Sequence, residues 1–353
     1  MAEKKTETKA QGFAALSSKE KMKKIGDILL NNAMYIIIAL AVIYIAVKVP
    51  AFVKLPSIVN VLSLTAAKLP IALGIGGCIV LTGTDISAGR VVGLTACISA
   101  SLLTTAFKVF PEMSSAPPIF LVFLMVIVVG ALVGLVNGFS VAKFKLHPFI
   151  VTLSTQLIVY GIILMYLKNG VNNGQTLSGL SEGYRSLITG TWFKIGDVAV
   201  PKYVLYSIIL TIVMWVIWNK TTFGKNMFAV GSNEEAANVS GVNVSRTIIM
   251  VFMLAGIMYA ITGFIDGARI ASANANTGLN YECDAIAACV IGGVSFVGGI
   301  GRISGIVVGV LLLQIIFAGL NFLSVDANML YFIKGLIILI ACAIDMRKYL
   351  VRK

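Results

Sequence analysis

The chain has 353 residues, of which 58% are hydrophobic and 12% charged. That leaves too little polar surface for a soluble domain of this size, so the sequence is that of an integral membrane protein. The net charge of +13 is concentrated in a Lys-rich amino-terminal stretch and in connecting loops, which fits a positive-inside topology and argues against a nucleic-acid partner.

No long polar segment divides the apolar stretches, so one all-α, polytopic bundle of about ten transmembrane helices with broken or re-entrant segments is expected. It should run over 31–345, between basic cytosolic tails at 1–30 and 346–353. The first tail carries Lys4, Lys5, Lys9, Lys19, Lys21, Lys23 and Lys24, and no small-residue cleavage site follows the first apolar run. Span one covers 33–47 and stops at Lys48 and Pro50. Span two, 59–81, is interrupted by Lys68 and Pro70; a proline there predicts a kink whose freed backbone group is satisfied inside the bundle.

The stretch 82–90, TGTDISAGR, stands between two apolar runs with hardly any loop. It reads as a break between two helices, with Asp85 or Ser87 capping the second, or as a tight cytoplasmic turn. Span three, 91–107, leads through a Pro-rich turn to span four, 119–142, where Gly130, Gly134 and Gly138 recur every fourth residue. Small residues so spaced allow another helix to approach closely in lipid. Lys143 and Lys145 mark a cytoplasmic loop in which the single histidine, His147, precedes Pro148 and suits a cap or a solvated position better than a ligand role. Span five, 148–167, exits to the longest connection, 168–202. This should be an external, partly ordered loop with Tyr184, Arg185, Trp192 and Lys194.

Span six, 203–218, returns the chain to a polar island, 219–246, which both the span count and Lys220, Lys225 and Arg246 place in the cytosol. Within it 233–241 predicts one short helix: Ser232 or Asn233 caps it, Glu234 and Glu235 suit its positive end, and Gly241 closes it. Span seven, 247–265, runs into Asp266, Arg269, Glu282 and Asp284, charges placed where an apolar run stops and restarts. Ionisable groups at such depth line a cavity or clamp helix ends together. Spans eight (285–297), nine (303–323) and ten (329–344) complete the bundle and leave both ends inside.

Three stretches carry a resemblance. In the island these are Gly224-Lys225-Asn226, Ala229-Val230-Gly231, Asn233, Glu235-Ala236-Ala237 and Ser240-Gly241-Val242-Asn243-Val244. After span two comes the Gly-x-Asp-x-Ser-x-Gly pattern at Gly83, Asp85, Ser87 and Gly89. After span seven come Ala-Arg-x-x-Ser-Ala, beginning at Ala268, and Tyr-Glu-x-Asp-Ala-Ile-Ala-Ala, beginning at Tyr281. Together they resemble permease subunits of sugar ABC importers of the ribose, xylose and galactose type, most nearly the galactose and methyl-galactoside branch, although Asp266 stands where that branch tends to carry Glu.

The resemblance implies a coupling loop at Gly231, Asn233, Glu235, Ala236, Ala237, Ser240 and Gly241 that fits a separate ABC ATPase, the subunit that binds ATP and magnesium. It also implies an extracytoplasmic sugar-binding protein docking on 168–202, a second copy of the chain, surrounding membrane lipid and a bacterial inner-membrane location. A sugar path or gate is expected among Asp85, Ser87, Arg90, Asp266, Arg269, Asn274, Asn276, Glu282 and Asp284, on the ground of polarity where lipid should be.

Enzymatic chemistry is not legible. Gly224-Lys225 lacks the rest of a phosphate loop, so no cofactor is expected on this chain. No His, Cys and carboxylate cluster has metal spacing, and the five cysteines read as small core residues. An ion-coupled secondary transporter, with Asp85 or Asp284 carrying a proton or sodium, stays open as the alternative, and a scaffold without transport fits the interrupted spans poorly.

Overall fold

The computed structural model describes residues 33–350; the basic tail expected at 1–30 lies outside them. Among the described residues the regular elements are helices, apart from one two-stranded antiparallel hairpin. Helix α1 (Ala33–Lys48) is joined by a 3-10 turn at Pro50–Val53 to α2 (Leu55–Val80). There follow α3 (Ala88–Leu102), α4 (Ile119–Phe144) and α5 (Pro148–Lys168). The connection after α5 folds into α6 (Glu182–Thr189) and the hairpin β1 (Thr191–Ile195) and β2 (Val198–Pro201). Beyond it lie α7 (Lys202–Lys220), α8 (Thr222–Ser232), α9 (Glu234–Val239) and α10 (Val244–Ile270). The chain closes with α11 (Tyr281–Ile291), α12 (Ile303–Phe322) and α13 (Ala327–Leu350).

Among the described residues six helices, α2, α4, α5, α7, α10 and α12, are long and apolar enough to cross a membrane. The third and eighth expected spans come out shorter. With 15 residues in α3 and 11 in α11, they are about 22 and 16 Å long, less than the roughly 30 Å of a hydrocarbon core. Helix α3 stops early because Thr104 turns to bridge Leu180, and the Leu103 carbonyl accepts from the Ser181 amide at 2.8 Å. Helix α11 stops at Gly292, and Gly293 follows with φ +84°.

Helices α2 and α10 form the axis of the bundle. In each, 72% of the apolar window is buried, against 22% in α4 and α7. A helix apolar all round belongs in a core, whereas α4 and α7 expose large side chains such as Leu132, Val136, Ile212 and Trp215 as a lipid-facing wall. The glycine spacing on α4 works as expected. A Cβ at Gly130 would overlap the Gly256 carbonyl and one at Gly134 the Phe252 carbonyl, both on α10, so the two backbones meet without intervening side chains. Pro70 removes the amide that would pair with the Ala66 carbonyl, and the Ser207 hydroxyl of α7 donates to that carbonyl instead.

Two expectations need correction. The connection 168–202 is more than a surface loop: Tyr184 is fully buried, its ring packs against Phe264 and its hydroxyl donates to the Phe264 carbonyl of α10. Burial raises that phenol above its ordinary pKa and keeps it a donor. The cysteines also divide, with Cys78, Cys97 and Cys289 buried and Cys283 exposed. His147 is a cap, its Nδ1 accepting from the Phe149 amide at 3.3 Å at the start of α5.

Candidate functional site: coupling face and interior polar face

At one end of the bundle the polar island folds into two short helices rather than the single one expected. Thr221 caps α8, its hydroxyl accepting from the Gly224 amide at 3.2 Å. Asn233 caps α9, its Oδ1 accepting from the Ala236 amide at 2.9 Å, with Glu234 and Glu235 in the first turn. Gly241 closes α9 with φ +84°, and the Asn243 side chain accepts from the Arg246 amide at 2.9 Å to cap α10.

The extra helix changes the role of Gly231. It is buried where α8 meets the end of α2, and a Cβ there would overlap the Val80 carbonyl. That carbonyl also accepts from the Gly299 amide at 2.8 Å. Gly231 is therefore a joint between three segments and not part of an outward surface. Ala237 is 4% exposed and anchors α9 inward. Asn233, Glu235, Ala236, Ser240 and Val239, the last 90% exposed, face outward. Beside them lies a polar concavity of ≈ 950 Å³ lined by Lys145, Glu234, Glu235, Asn238 and Asn243, with Lys145 bonded to Glu234 at 2.7 Å.

The residues expected to line a path fall into two groups. Asp85 and Ser87, both 0% exposed, belong to a sealed polar knot. Asp85 Oδ1 accepts from the Ser87 amide at 3.0 Å and from the Ser87 hydroxyl at 2.6 Å. Ser87 Oγ in turn accepts from Asn137 Nδ2 at 3.0 Å, and Asn137 Oδ1 accepts from the Thr155 hydroxyl at 2.6 Å. Asp85 thus organises the turn before α3 and ties it to α4 and α5, instead of capping the helix with its own side chain in the usual register.

The second group lies where the chain between α10 and α11 enters the bundle. Ala273 pairs with Leu177 of the long connection, and farther in Gly278 packs against Gly89 and Gly93 of α3. Here α11 begins, so its amino-terminal end and that of α3 come together inside the bundle. Glu282, 4% exposed, places its carboxylate against Gly89 between them.

Around this junction the charges interlock. Arg269 Nε meets Asp266 Oδ1 at 2.7 Å, and Lys68 approaches Asp266 Oδ2 at 3.6 Å while its ammonium sits over the Tyr281 ring. Lys334 of α13 bonds Asp284 at 2.9 Å. Arg90 donates to the Ala275 carbonyl at 3.0 Å and lies 4.2 Å over the Tyr160 ring. Asp266 and Arg269 are thus a clamp within α10, extended to α2 by Lys68. Among the described residues, neither Lys68 Nζ nor Asp266 Oδ2 has a hydrogen-bond partner.

Arg90, Asn274, Asn276, Asn280, Tyr281, Cys283 and Asp284 remain half-buried or exposed. Such groups are costly against hydrocarbon, so this face meets water or another polar surface. Sequence reasoning passed over Lys68, Lys334, Asn137 and Tyr160 as partners. A lone Lys or Asn inside an apolar run was the available signal; which helix would answer it was not legible.

Residues 57–342 match the family described as branched-chain amino acid transport system / permease component. The chain is 42% identical over 341 residues to the galactose/methyl galactoside import permease protein of Haemophilus influenzae, covering 96% of this chain and 100% of that one. It is 43% identical over 326 residues to the protein of the same name in Escherichia coli K12, covering 92% and 96%. It is 32% identical over 331 residues to the ribose import permease protein of Bacillus subtilis, covering 93% and 94%. No solved structure matches the chain.

Proposed function

Because the chain belongs to the family of branched-chain amino acid transport system permease components, we propose that it is the membrane-spanning, non-catalytic subunit of an ATP-driven monosaccharide importer. Galactose, glucose or a methyl galactoside is its cargo, in keeping with the names its relatives carry. Two copies face each other in the bacterial inner membrane, with both termini in the cytosol. A separate ABC ATPase, which holds the ATP and magnesium, receives α9, and a sugar-binding protein docks at the other end.

The observation that carries this reading is the polar face from Arg90 to Asp284, half-buried to exposed on a single chain among helices long and apolar enough to cross lipid. Pairing two such faces encloses an aqueous route lined by Arg90, Asn274, Asn276 and Asp284, and it removes each face from hydrocarbon. Asp85, Ser87, Asp266, Arg269 and Glu282 brace that route. Coupling follows the backbone: α9 leads through Asn243 into α10, whose 27 residues span about 40 Å and end at the Asp266 and Arg269 clamp. Movement of α9 is thereby passed to the face.

The test is sugar uptake in cells holding normal amounts of each variant. Arg90→Ala and Asp284→Ala should each lower uptake at least tenfold, and a photocrosslinker at Glu235 should capture the ATPase. Full uptake in both variants would remove these residues from the route. Uptake by this chain alone in vesicles, abolished by an uncoupler, would replace the ATP-driven reading with an ion-coupled one.

A further inference from the structure

At the end of the bundle away from α8 and α9, a dry groove of ≈ 550 Å³ opens between α4, α6, α7 and α10. Its place along the membrane axis is fixed by the helices themselves. Helix α4 ends beside Lys145, which bonds Glu234 of α9, and α7 runs directly into α8. The groove lies at the opposite ends of both, against Phe120, Phe123, Leu187, Ile209, Ile261 and Ile265. Tyr206 supplies the one polar side-chain atom of the lining, and its hydroxyl already donates to the Leu187 carbonyl at 2.9 Å. Nothing in the groove answers a polar ligand.

The flanks say what fills it. Phe120, Leu121, Ile208 and Ile209 are 70%, 59%, 45% and 49% exposed and continue the lipid-facing wall of α4 and α7 without a break, so the surrounding medium is acyl chain. Helix α6 roofs the groove in the manner of an interfacial helix. Tyr184 and Ile188 are buried inward, whereas Glu182, Arg185 and Ser186 are exposed. The roofing helix and the start of α7 each carry a cation: Arg185, exposed on α6, and Lys202, with its ammonium 3.4 Å from the Ser186 carbonyl of α6. Glu182 sits one turn before Arg185 and is the acidic residue of that helix. An apolar slot roofed by a helix that, with Lys202 bonded to it, carries net positive charge fits a ligand with a long hydrocarbon tail and an anionic head.

We propose that the groove binds one acyl chain of an anionic phospholipid from the leaflet opposite the coupling helices, with Arg185 and Lys202 holding its phosphate. The bound chain rests on Phe264, the residue whose carbonyl receives the Tyr184 hydroxyl. It therefore fills the space under α6 and keeps α6 seated on α10.

The full chain, reconstituted in phosphatidylglycerol and phosphatidylethanolamine vesicles, tests this with a trace of phosphatidylglycerol bearing a photoactivatable group midway along one acyl chain. Adducts should concentrate on 119–123, 206–210 and 261–265. Leu210→Trp and Ile261→Trp should each cut them at least fivefold, with Leu210→Phe as the milder filling variant where a Trp chain does not elute like wild type. Arg185→Gln combined with Lys202→Gln should lower labelling by the phosphatidylglycerol probe and leave labelling by a phosphatidylcholine probe unchanged. Adducts spread evenly over α4 and α5, or a folded filled variant with undiminished labelling, would overturn the proposal. So would a disulfide joining two copies in the membrane through Phe120→Cys and Ile209→Cys, since that outcome makes the groove a face between copies. The readout does not involve sugar uptake, so it stands or falls apart from the transport assignment.

Discussion

Pro70 interrupts α2 inside the bundle, and the carbonyl it frees, that of Ala66, is answered by Ser207 from another helix. Ser207→Ala should therefore destabilise the protein by roughly 1–3 kcal/mol, the penalty for an unpaired buried carbonyl. Pro70→Ala in the same background should recover most of the loss, because an alanine at that position restores the amide that pairs with the Ala66 carbonyl within the helix. Thermal unfolding in detergent checks both, and a Pro70→Ala chain that gains nothing would show the carbonyl to be satisfied otherwise. The proline and its need were legible in the sequence. Its partner was not, since a serine inside the apolar run of α7 carries no mark of the direction it faces. Asp266 gives a second case. Fully buried between Arg269 and Lys68, its replacement by Ala should cost roughly 3–5 kcal/mol by leaving uncompensated charge. Adding Lys68→Met should return part of that.

At the level of elements, local chemistry decided the short helix α9 and tertiary contact decided the rest. The Asn233 cap, the Glu234 and Glu235 turn and the Gly241 closure were all readable, because each acts within a few residues. The preceding helix α8 was not. Its Gly224, Met227, Val230 and Gly231 are buried against the bundle, a periodicity that polar neighbours obscure. The same limit shortened α3 and α11: apolar runs extend past both ends, and the break comes from pairing with 179–181 and from the turn at Gly293. With only six residues, α9 depends on its cap. Asn233→Ala should lower uptake severalfold at unchanged protein level, and Asn233→Asp should retain it. Equal activity in the two would mean that α9 is held by its partner rather than by its own cap. Gly256→Val should separate α10 from α4, where a Cβ has no room, and reduce the folded yield.

For the whole molecule, composition and charge were enough to name a membrane bundle, and the motif order was enough to name the kind of subunit. What hydropathy could not convey is that the polar residues separate into a sealed knot around Asp85 and an open face around Arg90 and Asp284. Each set looks alike in sequence, and only packing decides which is closed. The open face has a native reporter in Cys283, exposed between Glu282 and Asp284, while Cys78, Cys97 and Cys289 are buried. In a Cys342→Ser background, a charged, membrane-impermeant thiol reagent should label Cys283 in intact membranes, faster or slower according to whether the ATPase is loaded, and a Cys283→Ser chain should take up none. Labelling of Cys283 by lipid-soluble maleimides alone would place this face against hydrocarbon and contradict the account.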